Sequence, residues 1–372
     1  MGCWQDKSNL RQGDYLSEEE ARAELKKFKS LYSNKNEWNR RAEQIREGIL
    51  KGAELDSSIE LTELNPIIHS KRIYDGYSVE NVAFESFPGF YVTGNLYKPL
   101  VMDTLSPGVL CPHGHFKEDN GGGRFRPDHQ KRCAVLARMG AVVFSYDMVG
   151  YGESNQFSEY RFPESHDNFK FSLKYQLWNS IKAVDFLQSL NYVDSEKIGI
   201  TGASGGGTQS FLLTAVDDRI RASVPVVMVS AHFFGGCNCE SDMPIHQGEE
   251  HITNNAEIAA LAAPRPQLII SCGEDWTKNT PEVEYPYIEN VYSLFNASGN
   301  VKNLHLKNEE HDYGYSKRQG MYKFFNRVFN LNIDDLPNNS GDLDESFATI
   351  EEKKTMLVFN EKFSIPENAI EL

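Results

Sequence analysis

The stretch that most constrains this chain is Gly202-Ala203-Ser204-Gly205-Gly206, because of what stands on either side of it. The apolar run Ile198-Gly199-Ile200 precedes it, and residues 208–216 read as a helix directly after it. Gly-x-Ser-x-Gly between a buried strand and a helix is the pattern of a nucleophile elbow, a turn so sharp that the serine hydroxyl projects above the sheet. Such a turn strains the serine backbone and leaves no space for side chains at Gly202 and Gly206. It also aims the Gly205 amide, at a helix N-terminus, toward a developing oxyanion.

The flanking pattern repeats along the chain. Short β-rich runs occur at residues 79–84, 90–97, 107–111, 141–146, 197–200, 222–229, 267–271 and 304–306, several of them continuously apolar. Helical periodicity falls between them at 130–139, 177–190 and 321–329. Alternation of this kind predicts an α/β domain over residues 66–332, with a mainly parallel central sheet and helices on both faces. Residues 1–65 read as an N-terminal helical extension. Ser17 and Glu20 form a capping box, and Ala21, Leu25 and Phe28, then Trp38, Ala42, Ile45 and Ile49, line single faces before Gly52. Residues 333–372 read as an acidic tail with a short hairpin over 347–359, and loops 155–175 and 230–263 are expected to roof the site.

A serine hydroxyl is a weak nucleophile at neutral pH and needs an oriented base. The chain order nucleophile, acid, histidine, with each partner after a later strand, is met by Ser204, Asp275 and His311. Together with the elbow, this order specifies the α/β-hydrolase fold. Glu274 is the rival acid, since a shift of one residue exchanges it with Asp275, whereas Asp312 is too close to His311 along the chain to accept its ring proton. The second oxyanion donor is expected in Pro112-His113-Gly114-His115-Phe116, after the 107–111 strand, with the His115 amide facing that of Gly205. His113 and His115 also have His-x-His spacing, with Asp119, Asp128 and His129 nearby. A metallohydrolase would leave Ser204 without a role, so neither metal nor cofactor is expected. Arg124 and Arg126, after Gly121-Gly122-Gly123, are candidates to hold a substrate carboxylate, although a solvated loop is the plainer reading. Trp276 is a candidate to stack on a sugar ring. The run Asp147-Met148-Val149-Gly150-Tyr151-Gly152-Glu153-Ser154 reads as a structural turn supporting the elbow.

The net charge of −15 argues against nucleic acid as the main partner and favours a neutral or weakly charged substrate. Of the six cysteines, Cys237 and Cys239 share one loop. Spacing of i,i+2 suits a mutual disulfide poorly, and two cysteines do not define a zinc site, so they are read as free thiols shaping a tight turn. Met1-Gly2-Cys3 and the polar run after it resemble the mature start of a bacterial lipoprotein. This points to export with a lipid anchor at Cys3, against the alternative of an ordinary cytoplasmic N-terminus.

His113-Gly114-His115, Asp147 to Ser154, the elbow, Ala263-Pro264-Arg265-Pro266 ahead of Asp275, and His311-Asp312-Tyr313-Gly314 together resemble the acetylxylan-esterase-like α/β-hydrolases of bacteria, over residues 71–331. The resemblance implies removal of acetyl groups from a carbohydrate ester through an acyl-enzyme, without cofactor. The Arg-Gly-Gln segment of acetylxylan and cephalosporin-C deacetylases is absent, so their oligomeric architecture is not carried over. Two further activities fit the same residues: a glucuronoyl or other uronate esterase, and a prolyl-oligopeptidase-like serine peptidase, which usually carries a propeller that a chain of this length has no room for.

Overall fold

The computed structural model describes residues 16–55, 59, 61–102, 104–116, 122–154, 156, 171–334 and 336–370. Cys3, Asp119, Gly121 and most of loop 155–175 lie outside the described residues. Helix α1 (Glu18–Lys29) begins at Ser17, whose hydroxyl accepts from the Glu20 amide while the Glu20 carboxylate accepts from the Ser17 amide. It buries Ala21, Leu25 and Phe28, and α2 (Lys35–Gly52), capped by the Asn34 side chain, buries Trp38, Ala42, Ile45 and Ile49. All seven belong to the same apolar cluster as Ala231 and Trp276, so the two helices are part of the main core.

Among the described residues nine strands form one sheet: β1 (Ile67–Ile73), β2 (Tyr77–Phe87), β3 (Phe90–Pro99), β4 (Ser106–Leu110), β5 (Val142–Tyr146), β6 (Val193–Ala203), β7 (Ile220–Val226), β8 (Gln267–Cys272) and β9 (Val301–Leu306). Their order is β1-β2-β3-β5-β4-β6-β7-β8-β9. The pairings β1–β2, β2–β3 and β3–β5 are antiparallel, and every pairing from β5 across to β9 is parallel. Alternate side chains feed two cores: Phe144 and Ile200 join one, Val143 and Ala203 the other. Helices α3 (Pro127–Arg138) and α9 (Tyr315–Phe329) cover the second. The first is covered by α1, α2, α4 (Ser172–Ser189), α5 (Gly205–Val216), α7 (Asn255–Ala260) and α8 (Glu284–Ser293). The short α6 (Asn238–Ser241) precedes α7 in the long connection from β7 to β8, and α10 (Lys353–Met356) lies near the C-terminus. This is the α/β-hydrolase arrangement. The chain order reverses where β4 sits between β5 and β6, and a crevice opens at such a point beyond the carboxyl ends of the strands.

Two expectations are corrected. Residues 347–359 make no hairpin; they contain α10 and lie along the β2–β3 side of the sheet. Their backbone is satisfied by side chains of the main domain: Asn81 donates to the carbonyls of Thr355 and Leu357, Asn95 to that of Met356, and Glu153 accepts from the amides of Val358 and Phe359. Strand β1 was not anticipated. It is an edge strand with half-exposed or exposed residues throughout, so His69-Ser70-Lys71-Arg72 breaks the apolar signal. Among the described residues no helix is long and apolar enough to cross a membrane.

Candidate active site

Ser204 sits between β6 and α5 with φ 56° and ψ −124°, a conformation that an L-residue holds only under surrounding constraint. Its amide donates to the Val226 carbonyl at 3.1 Å on the neighbouring strand, which pins the turn from below. A Cβ at Gly202 would lie 2.5 Å from the Pro112 carbonyl oxygen and one at Gly206 2.4 Å from it, so the loop after β4 closes directly over the elbow. Gly205 is equally constrained, since its Cβ would lie 2.5 Å from the His115 ring.

Asp275 and His311 emerge after β8 and β9, at the same edge of the sheet as Ser204. The His311 Nδ1 lies 2.7 Å from Asp275 Oδ2. The other carboxylate oxygen, Oδ1, accepts from the Thr277 amide at 2.6 Å and from its hydroxyl at 2.5 Å. Burial alone would raise the Asp275 carboxyl, but the bonds from His311 and Thr277 outweigh it and hold the group below the usual aspartate range. An ionised carboxylate can only accept, so His311 donates from Nδ1 and presents the Nε2 lone pair. The rival acids fall away on geometry: Glu274 is exposed, and Asp312 accepts from Lys317 and the Gly314 amide.

The predicted substrate contacts divide. Arg124 is corrected: it is fully buried, with Nε 2.9 Å from Asp147 and NH2 2.6 Å from Glu153, while NH1 donates to the Met356 carbonyl at 2.8 Å. A guanidinium neutralised by two carboxylates in a dry site has nothing left for a substrate; it ties the Asp147–Ser154 turn to the C-terminal segment. Trp276 is corrected as well. It is 4% exposed and packed face to face with Phe233 at 4.0 Å, with His311 against it at 4.4 Å, so it braces the histidine instead of offering a platform. Arg126 remains partly exposed, bonded to Asp128 at 2.9 Å and lying over the Phe116 ring at 5.0 Å, and Phe116 in turn faces His311 at 5.6 Å.

The His-x-His pair does not converge. His113 donates from Nδ1 to the Gly114 carbonyl at 3.0 Å and accepts at Nε2 from the Met148 amide at 3.1 Å, bolting the loop after β4 to the Asp147 turn. Burial pushes its pKa down to about 4, in keeping with a neutral ring. His115 instead meets Cys237 and Cys239. The Cys237 Sγ lies 3.1 Å from His115 Nδ1, the Cys239 Sγ 3.2 Å from Nε2, and the two sulfurs 3.4 Å apart. The two thiols therefore do more than shape their own turn. Glu240 completes the group, with Oε2 3.2 Å from Cys237 Sγ and 2.8 Å from the Gly236 amide. Sequence reasoning also missed Thr277, although Asp275-Trp276-Thr277 is a side-chain-to-backbone turn signal, and Phe233, which nothing local marks.

An α/β-hydrolase sheet, a strained serine at its central strand end and a histidine–carboxylate pair after β8 and β9 define an esterase-type hydrolase. Comparison with known proteins makes the class specific. The chain matches the Acetyl xylan esterase (AXE1) family over residues 23–235, more than half its length, and belongs to that family of carbohydrate esterases. It is similar to Methylesterase BT1017 with 40% identity and a TM-score of 0.86, covering 96% of this chain and 77% of that one. A glucuronoyl esterase from Solibacter usitatus shares the fold with a TM-score of 0.57 at 16% identity, over 79% of this chain and 93% of that one. Among curated proteins, YtaP of Bacillus subtilis, provisionally described as a hydrolase, is 27% identical over 197 residues; the match takes in 50% of this chain and spans 64% of that protein's length.

Proposed function

We propose that the chain hydrolyses the methyl ester of a sugar acid within a carbohydrate, through an acyl-enzyme on Ser204. The observation that carries the mechanism is the strained Ser204 at a strand end, with a His311 oriented by an ionised Asp275 at the same edge of the sheet. In the first half, His311 Nε2 takes the Ser204 proton as Oγ attacks the ester carbonyl. The Gly205 and His115 amides receive the oxyanion, and the protonated His311 hands its proton to departing methanol. In the second half, water gives a proton to His311 and attacks the acyl group. Ser204 then leaves with that proton, and the sugar acid is released.

The 40% identity to a methylesterase supports the methyl ester. The family description favours a second reading, in which the sugar hydroxyl leaves first and an acetyl group stays on Ser204. The two readings differ in what is bound to the serine. Methyl-esterified and acetylated oligosaccharides should therefore be compared for methanol or acetate release, with rapid-quench mass spectrometry of the Ser204 peptide and Ser204→Ala as control. A sugar-acid adduct and methanol are expected; an acetyl adduct would overturn the methyl ester in favour of the second reading. Arg126, partly exposed, is in this scheme the contact for a free carboxylate on a neighbouring sugar acid, since the reacting carboxyl is esterified. Arg126→Ala should raise KM for a partly methylated oligouronide and leave that for a neutral acetyl ester unchanged, and wild-type KM values on both would remove it from that role.

A further inference from the structure

Outside the serine machinery, the most distinctive chemistry lies where His115, Cys237, Cys239 and Glu240 meet. We infer that the protein holds a zinc ion on His115, Cys237 and Cys239, with Glu240 beside them.

All four are buried, and the donor atoms converge from two loops more than 120 residues apart in the chain. The His115, Cys237 and Cys239 donor atoms all lie within 4.8 Å of one another. Glu240 adds an oxygen 3.2 Å from Cys237 Sγ and 3.8 Å from His115 Nδ1. Two sulfurs and one imidazole nitrogen make a donor set suited to zinc, which has no geometric preference of its own beyond four tetrahedral ligands, and Glu240 is the protein group beside it for the fourth position. Tetrahedral zinc with bonds of about 2.0–2.3 Å separates its ligand atoms by roughly 3.5–3.8 Å. Taken at the nitrogen that reaches both sulfurs, Nε2, the contacts are 3.9 Å to Cys237 and 3.2 Å to Cys239, and with a sulfur–sulfur contact of 3.4 Å the three atoms need to move by only a few tenths of an ångström. Copper(I) fits less well, because it favours sulfur and nitrogen over a carboxylate oxygen.

The expectation of a metal-free protein grouped His115 with His113, Asp119, Asp128 and His129 and read Cys237 and Cys239 as a separate pair of thiols, whereas His113 is committed to Gly114 and Met148. Binding releases a proton from each thiol, so the ion replaces two S–H groups by two thiolates and is bound more tightly as pH rises. With its three ligands buried between two loops, the site's role is positioning. It anchors the His115 ring that abuts Gly205, and so the loop that carries one of the two proposed oxyanion amides. This last step rests on the serine mechanism proposed above; the metal site itself does not.

The test uses the full chain, produced without a metal-binding tag and purified under reductant. Mass spectrometric metal analysis is expected to find about one zinc per chain, and cobalt added to stripped protein to give a thiolate charge-transfer band. Cys239→Ser should lower zinc affinity by about 100-fold, with the fold checked by circular dichroism. In the unaltered protein, zinc should shield Cys237 and Cys239 from alkylation relative to the stripped form, a readout that needs no variant. Folded, reduced protein that holds no zinc and takes up no cobalt would overturn the inference, as would a Cys237–Cys239 disulfide in the protein as isolated. Fluorophosphonate labelling of Ser204 in the same samples reports on the serine mechanism separately: zinc without labelling refutes the mechanism alone, and labelling without zinc refutes the metal site alone.

Discussion

Replacing Asp275 by asparagine tests the histidine–carboxylate pair with almost no change of shape. The Thr277 amide and hydroxyl both donate into Oδ1, at 2.6 and 2.5 Å, so the asparagine carbonyl oxygen must settle there. Its NH2 group then occupies the Oδ2 position, 2.7 Å from His311 Nδ1. Two donors cannot share that contact, so the ring changes tautomer: Nδ1 becomes the acceptor and Nε2 carries the proton. A protonated Nε2 cannot take the Ser204 proton. The same inversion in a Ser-His-Asp triad costs on the order of 10⁴ in kcat, equivalent to about 5 kcal/mol of barrier. The assay is ester hydrolysis at saturating substrate, with fluorophosphonate labelling of Ser204 and a thermal melt to confirm the fold. Glu274→Gln is the control and should keep wild-type turnover, because Glu274 is exposed and outside the pair. If Asp275→Asn stays within about tenfold of wild type, or the Glu274 variant is the one that fails, the assignment of acid and tautomer is wrong.

Gly205→Ala places a methyl group 2.5 Å from the His115 ring, which the two thiols hold in place, so the two proposed oxyanion amides must separate and kcat should fall about 100-fold. A variant as active as wild type would mean that the His115 loop can shift without cost. Arg124→Met leaves Asp147 and Glu153 buried without their cation and should lower unfolding free energy by about 3–5 kcal/mol in urea, whereas a stable variant with altered KM would restore Arg124 as a substrate contact. Burial raises the Glu284 carboxyl from about 4.5 to about 7, so its ionisation opposes folding. The penalty is absent below pH 4.5, where both states hold the proton; it grows through the window from 4.5 to 7 and levels off above, reaching at most about 3 kcal/mol. Glu284→Gln, which can still accept from the Ala231 amide, should therefore raise the melting temperature at pH 8 and leave it unchanged at pH 4; a gain equal at both pH values would exclude ionisation as the cause.

Local features of the chain were legible because their physics is local. A strand, a Gly-x-Ser-x-Gly turn and a helix in succession leave one way to build residues 198–216, and the glycines are needed by steric contacts that any such elbow makes. Chain order after β8 and β9 placed Asp275 and His311 in the same way. The edge strand β1 and the segment around α10 escaped, since one lacks an apolar pattern and the other takes its hydrogen bonds from Asn81, Asn95 and Glu153, far away in sequence.

Ser204, its order relative to Asp275 and His311, and the α/β architecture were determined by the sequence itself, through periodicity and turn chemistry acting over fewer than about twenty residues at a time. Tertiary structure alone decided what the charged and sulfur-bearing side chains do. Arg124 looked like a substrate contact until Asp147 and Glu153 closed around it, and Cys237 and Cys239 looked like turn residues until His115 arrived from the loop after β4. The reason is that a charge or a thiol takes its role from its neighbours and its burial, and those neighbours are brought together only when distant strands pair.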